Sequence, residues 1–124
     1  MGRNWRGYTV SSLGRVAVAP LPPIKGSLDY TLPHTPSYRE VAFQLLEADF
    51  SGKPAVVTIN GVSYQTALED GGTLWRDAHG VLPIYSASYD QRNNVTSVYF
   101  GEPQGTVEIN SISVEVDGRK VIFA

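Results

Sequence analysis

The chain has 124 residues, no cysteine and a formal net charge of -2, with 42% hydrophobic and 18% charged residues. This length predicts one domain with a single hydrophobic core, and the lack of cysteine excludes disulfides, thiolate metal sites and a cysteine nucleophile. The charge gives no electrostatic reason to expect nucleic acid or an anionic membrane as a partner, and no apolar run approaches the roughly 20 residues of a membrane span.

Residues 1–37 differ in composition from the rest of the chain. Five prolines and four glycines interrupt this segment, and aromatic and aliphatic residues are frequent between them. Proline biases itself and the preceding residue towards extended backbone, while a disordered tail would be poor in large apolar residues. We therefore predict an extended arm that contacts neighbouring subunits by pairing with a sheet edge and placing side chains in pockets. The expected contact residues are Arg3, Trp5, Arg6, Tyr8, Val10, Leu13, Val16, Val18, Leu21 and Ile24.

Residues 38–50 allow two interpretations. Glu, Ala, Gln and Leu in this stretch are good helix formers, but Val41 and Phe43 begin an alternation that is typical of a strand. We favour the strand, because residues 51–54 then form a loop that leads into the β-rich run 55–59.

Two dipeptides further along the chain mark hairpin turns. Asn60-Gly61 and Asp117-Gly118 supply the two positive φ angles of a type I′ turn, and β-rich runs flank both. Between residues 106 and 116 the apolar alternation slips at Asn110-Ser111, which predicts a β-bulge. About eight short strands with turn signals every 8–12 residues predict an all-β fold, an antiparallel, jelly-roll-like β-sandwich over residues 38–124. The expected core residues are Phe43, Val57, Ile59, Val98, Phe100, Ile109, Ile112 and Val114.

Few residues are candidates for catalysis or metal binding. Asp77 and His79 could act as an acid–base pair or as metal ligands, but we favour a solvated loop. Glu69, Asp70, Asp77 and Asp90 could bind calcium, yet they lack the Asp-x-Asp-x-Asp spacing of a calcium loop. No nucleophile motif of the Gly-x-Ser-x-Gly type is present. We therefore predict no catalytic residue, no metal site and no cofactor.

Aromatic residues with polar neighbours form one candidate binding set. Sugar CH faces stack on aromatic rings while sugar hydroxyls need bidentate polar partners, so such a combination is typical of a glycan site. The alternative, which we favour, is that Trp75 and Tyr85 are core residues and Tyr89 lies at the rim of the core. The candidate glycan residues are Trp75, Arg76, Asp77, Tyr85, Tyr89 and Asp90, and Tyr99 belongs to the same aromatic group.

From Tyr38 onward the chain resembles galactose-binding-like domains and carbohydrate-binding modules, which are β-sandwiches. The resemblance is carried by the hairpin at residues 56–62 (VVTINGV) and the late strand at residues 107–114 (VEINSISV). Such modules lack a long proline-rich arm. An arm of this kind on a small sandwich resembles the capsid decoration (cement) proteins and head fibres of tailed phages. That resemblance implies an arm lying across coat subunits and a sandwich that stands outward.

Two functions follow as expectations. The first is a non-enzymatic structural protein of a tailed-phage particle, a capsid decoration protein made in the host cytoplasm and located in the virion. Its partners would be other subunits of the assembly, the coat protein foremost, and further copies of itself. The second is a carbohydrate-binding module, or a receptor-binding virion protein, that binds a surface glycan around Trp75. We expect neither nucleic acid nor a membrane as a partner.

Overall fold

The computed structural model describes residues 21–72 and 74–123, which form ten β-strands and no helix. The all-β prediction is confirmed. None of the described residues therefore belongs to a helix that could cross a membrane. The strands are β1 (Ile24–Ser27), β2 (Val41–Leu46), β3 (Pro54–Ile59), β4 (Val62–Ala67), β5 (Leu74–Asp77), β6 (Gly80–Asp90), β7 (Val95–Phe100), β8 (Gln104–Gly105), β9 (Ile112–Val116) and β10 (Arg119–Phe123).

The strands form one curled, mixed sheet in the order β4-β3-β9-β10-β1-β2-β7-β6-β5, with β8 pairing the start of β6. Neighbouring strands run antiparallel except β1 and β10, which run parallel. The curl brings the two outer strands, β4 and β5, close to each other. The Tyr64 hydroxyl on β4 donates a hydrogen bond to the Arg76 carbonyl on β5, at 3.2 Å. The finer expectation, a jelly-roll-like sandwich, remains a prediction.

Strand β1 corrects the predicted boundary between arm and domain. Ile24 pairs with Val121 of β10, while Gly26 pairs with Leu45 of β2 on the other side. The Ile24 side chain is only 2% exposed and belongs to the chain's own core, so it does not serve as an arm contact. Leu21, in contrast, is 57% exposed. The other predicted arm contacts fall within residues 1–20, outside the described part of the chain.

Residues 28–37 are also attached to the β domain, although the sequence placed them in the arm. The Tyr30 hydroxyl donates to the Ala42 carbonyl at 2.7 Å, and burial raises the pKa of this phenol. His34 stacks on the Tyr30 ring and exchanges two backbone hydrogen bonds with Ile109. The domain therefore includes this loop and begins well before residue 38.

The ambiguous stretch at residues 38–50 contains strand β2, as predicted. Its pairing with β7 shifts register between Val41 and Phe43, which leaves Ala42 as an extra residue. Because of this bulge, Ala42 and Phe43 are both buried although they are adjacent in sequence.

Both predicted hairpins are confirmed. The φ angles are 52° and 83° at Asn60 and Gly61, and 52° and 78° at Asp117 and Gly118, as a type I′ turn requires. Asn60 joins β3 to β4, and Asp117 joins β9 to β10. The local chemistry of these dipeptides was sufficient to place both turns.

The predicted bulge at Asn110-Ser111 is a break between two segments. Strand β9 begins only at Ile112, and Ile109 pairs instead with the loop that carries His34. Asn60 fills the gap: its Oδ1 accepts hydrogen bonds from the amides of Asn110 (2.7 Å) and Ser111 (3.2 Å). Its Nδ2 donates to the Glu108 carbonyl at 3.0 Å. The slip in alternation was real, but a side chain from another hairpin accommodates it.

The core lies on the concave side of the curled sheet and draws on strands from both ends of the strand order. Of the predicted core residues only Ile112 is partly exposed. It packs against the edge of the core cluster. The predicted core is otherwise confirmed.

Gly26→Ala should destabilise the fold by about 1–3 kcal/mol, because overpacking at a closed site forces neighbours to move. An added Cβ would lie 2.6 Å from Val121 Cγ1 and 3.0 Å from the Phe123 ring. Urea unfolding measures the loss. The control is Lys25→Ala on the same strand, which removes only an exposed ion pair with Glu47 and should be near neutral. Equal stability of the two variants would show that β1 is not packed as described.

Asn60→Gly should cost about 1–2 kcal/mol, because glycine keeps the positive φ but removes three hydrogen bonds to backbone groups of residues 108–111. Asp117→Gly is the matched control. Asp117 occupies the same position of the other hairpin, and its side chain makes no hydrogen bond to the described residues. Thermal unfolding of both variants checks the difference, and an equal effect would contradict the bridging role of Asn60.

Candidate functional site

The predicted glycan residues are divided along strand β6 instead of being brought together. Arg76 and Asp77 lie before the strand, whereas Tyr89 and Asp90 end it. An eleven-residue strand spans roughly 30 Å at about 3.3 Å per residue. Tyr85 lies between the two groups, and the side chain of Trp75 is outside the described part of the structure. A single sugar ring cannot contact both ends of this set.

The two carboxylates of the set have local roles. Asp77 Oδ1 accepts hydrogen bonds from the amides of His79 (2.7 Å) and Gly80 (2.9 Å) and so closes the turn between β5 and β6. Asp90 does the same between β6 and β7, with the Arg92 amide at 3.0 Å and the Asn93 side-chain amide at 2.7 Å. The Asn93 side chain in particular lowers the pKa of the Asp90 carboxyl. Both aspartates are therefore explained by turn formation.

Asp77 and His79 also line an open, polar depression of about 310 Å³. Among the described residues no three His, Cys, Asp or Glu side chains are grouped closely enough to hold a metal ion. The other histidine, His34, does not line this depression, and its Nε2 lies against the Glu40 carboxylate. The remaining residues that line the depression are Thr35, Asn60, Thr106, Glu108 and Asn110.

A different group of side chains is assembled on the surface where β2 begins and β7 ends. We call it the tyrosine–arginine cluster; its members are Tyr38, Arg39, Tyr85, Ser86 and Tyr99. The Arg39 guanidinium carbon lies 5.0 Å from the centre of the Tyr38 ring and 5.1 Å from that of the Tyr85 ring. The two rings meet edge to face at 5.5 Å, and Arg39 Nη2 donates to the Tyr85 hydroxyl at 3.2 Å. The cation is thus positioned by two phenol rings.

A β-bulge places Tyr85 in this cluster. Ile84 pairs with Phe100 and Ser86 pairs with Tyr99, so Tyr85 is the extra residue on β6. Bulges redirect side chains and are over-represented beside functional sites. The bulge at Ala42 lies on the opposite side of β7, next to the same Tyr99. The two bulges, one on β2 and one on β6, therefore flank Tyr99 of β7, the strand between them.

The backbone of Arg39 has φ = 64°, in the left-handed region that only glycine adopts without strain. Hydrogen bonds hold this geometry. The Arg39 amide donates to the Phe100 carbonyl at 2.9 Å, and the Phe100 amide donates to the Glu40 carbonyl at 2.8 Å. Glu40 Oε1 also accepts the Ser37 amide at 2.7 Å. The turn before β2 is fixed, and it aims Arg39 outward.

The cluster is open to solvent and carries a positive charge. Tyr38 and Tyr85 are 44% and 40% exposed. Tyr38, more than Tyr85, raises the pKa of Arg39, which stays charged. Neither ion pair within the described residues, Lys25–Glu47 or His34–Glu40, involves Arg39. Together with Ser86 and Tyr99, Arg39 and Tyr85 line a shallow depression of about 370 Å³. This arrangement can bind an anion against aromatic surface.

Sequence reasoning named Tyr85 and Tyr99 of this cluster, but it grouped them with residues that lie towards the two ends of β6. Tyr38 and Arg39 stood at the predicted domain boundary, and nothing in their side chains signals a left-handed backbone. A signal was present in the apolar pattern, because Leu82 and Ile84 are followed by Ala87 on the opposite parity. That slip marks the bulge at Tyr85.

The fold and the cluster define an all-β domain with an exposed cationic and aromatic surface. No protein-family model matches the chain, and no curated protein or solved structure matches it either.

Arg39→Gly should unfold at a temperature about 3–6 °C higher than Arg39→Ala, because both variants lose the ring contacts but only glycine relieves the left-handed backbone. Differential scanning calorimetry measures both. If the two variants unfold together, the backbone at residue 39 is not strained in solution.

Proposed function

We propose that the chain is a non-enzymatic structural protein of a viral particle, a capsid decoration protein of the tailed-phage type. In this proposal residues 1–20 bind neighbouring subunits, with the coat protein as the main partner, and the β domain stands outward. Copies of the chain also contact one another in the assembly.

The observation that carries this proposal is the fixed position of Leu21 and Pro22, the first described residues, which follow the proposed arm. The Arg119 side chain donates from Nε to the Pro22 carbonyl at 2.9 Å, and the Leu21 side chain lies beside Gly118. Leu21 is largely exposed where the described chain begins. The segment that precedes it is thus anchored at one end to the β9–β10 hairpin.

The composition of that segment supports a partner. Residues 1–20 include Trp5, Tyr8 and Val10, and further aliphatic residues follow up to Val18. Burial of apolar surface stabilises an interface by about 25 cal/mol per Å², and buried tryptophan and arginine often dominate binding. Arg3 and Arg6 flank Trp5. An extended segment of this kind gains most by lying along another protein.

The second candidate, glycan binding around Trp75, remains a proposal with less support, because β6 separates its residues. The tyrosine–arginine cluster favours a binding role at a different place on the same domain.

Deletion of residues 1–20 should leave a folded domain that no longer joins the particle. Deletion of residues 1–24 is the structural control: it also removes buried Ile24, and loss of a core isoleucine costs about 2–5 kcal/mol. Circular dichroism and urea unfolding separate the two effects.

Incorporation is measured with an antibody against the β domain, which recognises the full and shortened chains alike. The full chain should co-sediment with density-gradient-purified viral particles of the virus that encodes the protein. The chain without residues 1–20 should remain unbound. Equal incorporation of both, or absence of the full chain from the particles, would overturn the proposal.

A further inference from the structure

We propose that the tyrosine–arginine cluster is a binding site for a carboxylate-bearing sugar, such as a uronic acid residue of a polysaccharide. This inference rests on the cluster alone and does not depend on the assembly role of residues 1–20.

The cluster is poorly explained by fold stability. A left-handed conformation at a non-glycine residue is unfavourable, and glycine at position 39 would form the same turn without strain. Contacts between an exposed arginine and aromatic rings contribute little, since water competes for the cation. Strained backbone in a fixed surround is common at binding sites. A ligand accounts for both the strain and the outward arginine.

The guanidinium of Arg39 favours a negatively charged ligand, a carboxylate in particular. A guanidinium has five N–H donors in a planar fork that matches the two oxygens of a carboxylate. One hydrogen bond from Arg39 to a described side chain, the Tyr85 hydroxyl, holds the group in place. The nearest carboxylate in sequence, Glu40, contacts His34 and the Ser37 amide instead. Arg39 therefore presents a positioned and uncompensated positive charge within the described surface.

The surroundings of Arg39 select a sugar. The partly exposed Tyr38 and Tyr85 rings offer apolar surface beside Arg39 for sugar CH groups, while the hydroxyls of Ser86, Tyr85 and Tyr99 can exchange hydrogen bonds with sugar hydroxyls. The depression of about 370 Å³ is shallow and open along the surface. The volume of the depression is near the lower limit for small-molecule binding sites, which is about 300 Å³. It is therefore large enough for one sugar unit of a longer polysaccharide. The cluster contains a single arginine and the chain has a net charge of -2, so this described surface lacks the basic stripe of a nucleic-acid site.

The test titrates the full chain with two pairs of probes, digalacturonic acid against cellobiose and sialyllactose against lactose. Calorimetry gives the affinity, and ¹⁵N-resolved NMR locates the site through the amides of residues 38, 39, 85, 86 and 99. At least one acidic probe should bind and shift these amides, the matching neutral sugar should bind at least about tenfold more weakly, and added salt should weaken the acidic complex.

Variants then assign the roles. Arg39→Lys keeps the charge but loses the planar fork, so it should weaken the acidic probe about tenfold or more. Tyr85→Phe keeps the ring but loses the hydroxyl that orients Arg39, and should weaken binding less. Arg92→Lys, at an exposed arginine in the turn between β6 and β7, is the matched control and should leave the affinity unchanged. Unfolding midpoints confirm that each variant is folded.

Several results would overturn the proposal. They are equal binding of neutral and acidic probes, loss of binding in Arg92→Lys but not in Arg39→Lys, and shifts confined to amides outside the cluster. Binding of a glutamate tetrapeptide in preference to both acidic sugars would assign the site to an acidic peptide instead. No shift with any probe at millimolar concentration would show that the cluster does not bind such sugars. If a variant fails to fold, the amide shifts of the unmutated chain with the acidic and neutral probes decide the outcome.

Discussion

The whole sheet depends on the pairing of β1 on both of its sides. Parallel hydrogen bonds to β10 connect it to β9, β3 and β4, and antiparallel hydrogen bonds to β2 connect it to β7, β6 and β5. Ile24 contributes to the core that both groups of strands share, and Gly26 allows the Val121 and Phe123 side chains to approach. Without these four residues the described sheet would divide into two smaller ones, each with a new exposed edge.

The sequence predicted elements whose cause is local and missed those whose cause is distant. Asn60-Gly61 and Asp117-Gly118 determine their own φ angles, so both hairpins could be placed. Strand β1 could not, because four residues give too short an alternation and a glycine within them resembles a break. Its partner strand also lies far away: Arg119 and Pro22, which are hydrogen-bonded, are 97 positions apart.

The same limit applies to the candidate site. Neighbours in sequence were grouped as a glycan set, but an extended strand carries Asp77 and Asp90 away from each other. The tyrosine–arginine cluster depends on two bulges and one left-handed residue, and register shifts depend on how three strands pack together. Only the parity slip after Ile84 was readable beforehand. Arg39 gave no such signal, since arginine has no preference for positive φ.

The first described residues, Leu21 and Pro22, and the tyrosine–arginine cluster lie towards opposite ends of β2. Gly26 pairs with Leu45 near the end of that strand, whereas Arg39 immediately precedes its start. About 20 Å of strand separates the two ends at about 3.3 Å per residue. The described start of the chain and the cationic surface therefore lie towards opposite ends of the same strand.

The parallel pair of β1 and β10 also fixes when the domain can fold during synthesis. Residues 119–123 are made long after β1, and until they leave the ribosome one side of β1 has no partner strand. Contacts of such large sequence separation form slowly, because a long loop must close before they contribute. The anchor at Pro22 likewise requires Arg119. A nascent chain thus completes the pairing of β1, and the hydrogen bond at Pro22, only after residues 119–123 have been made.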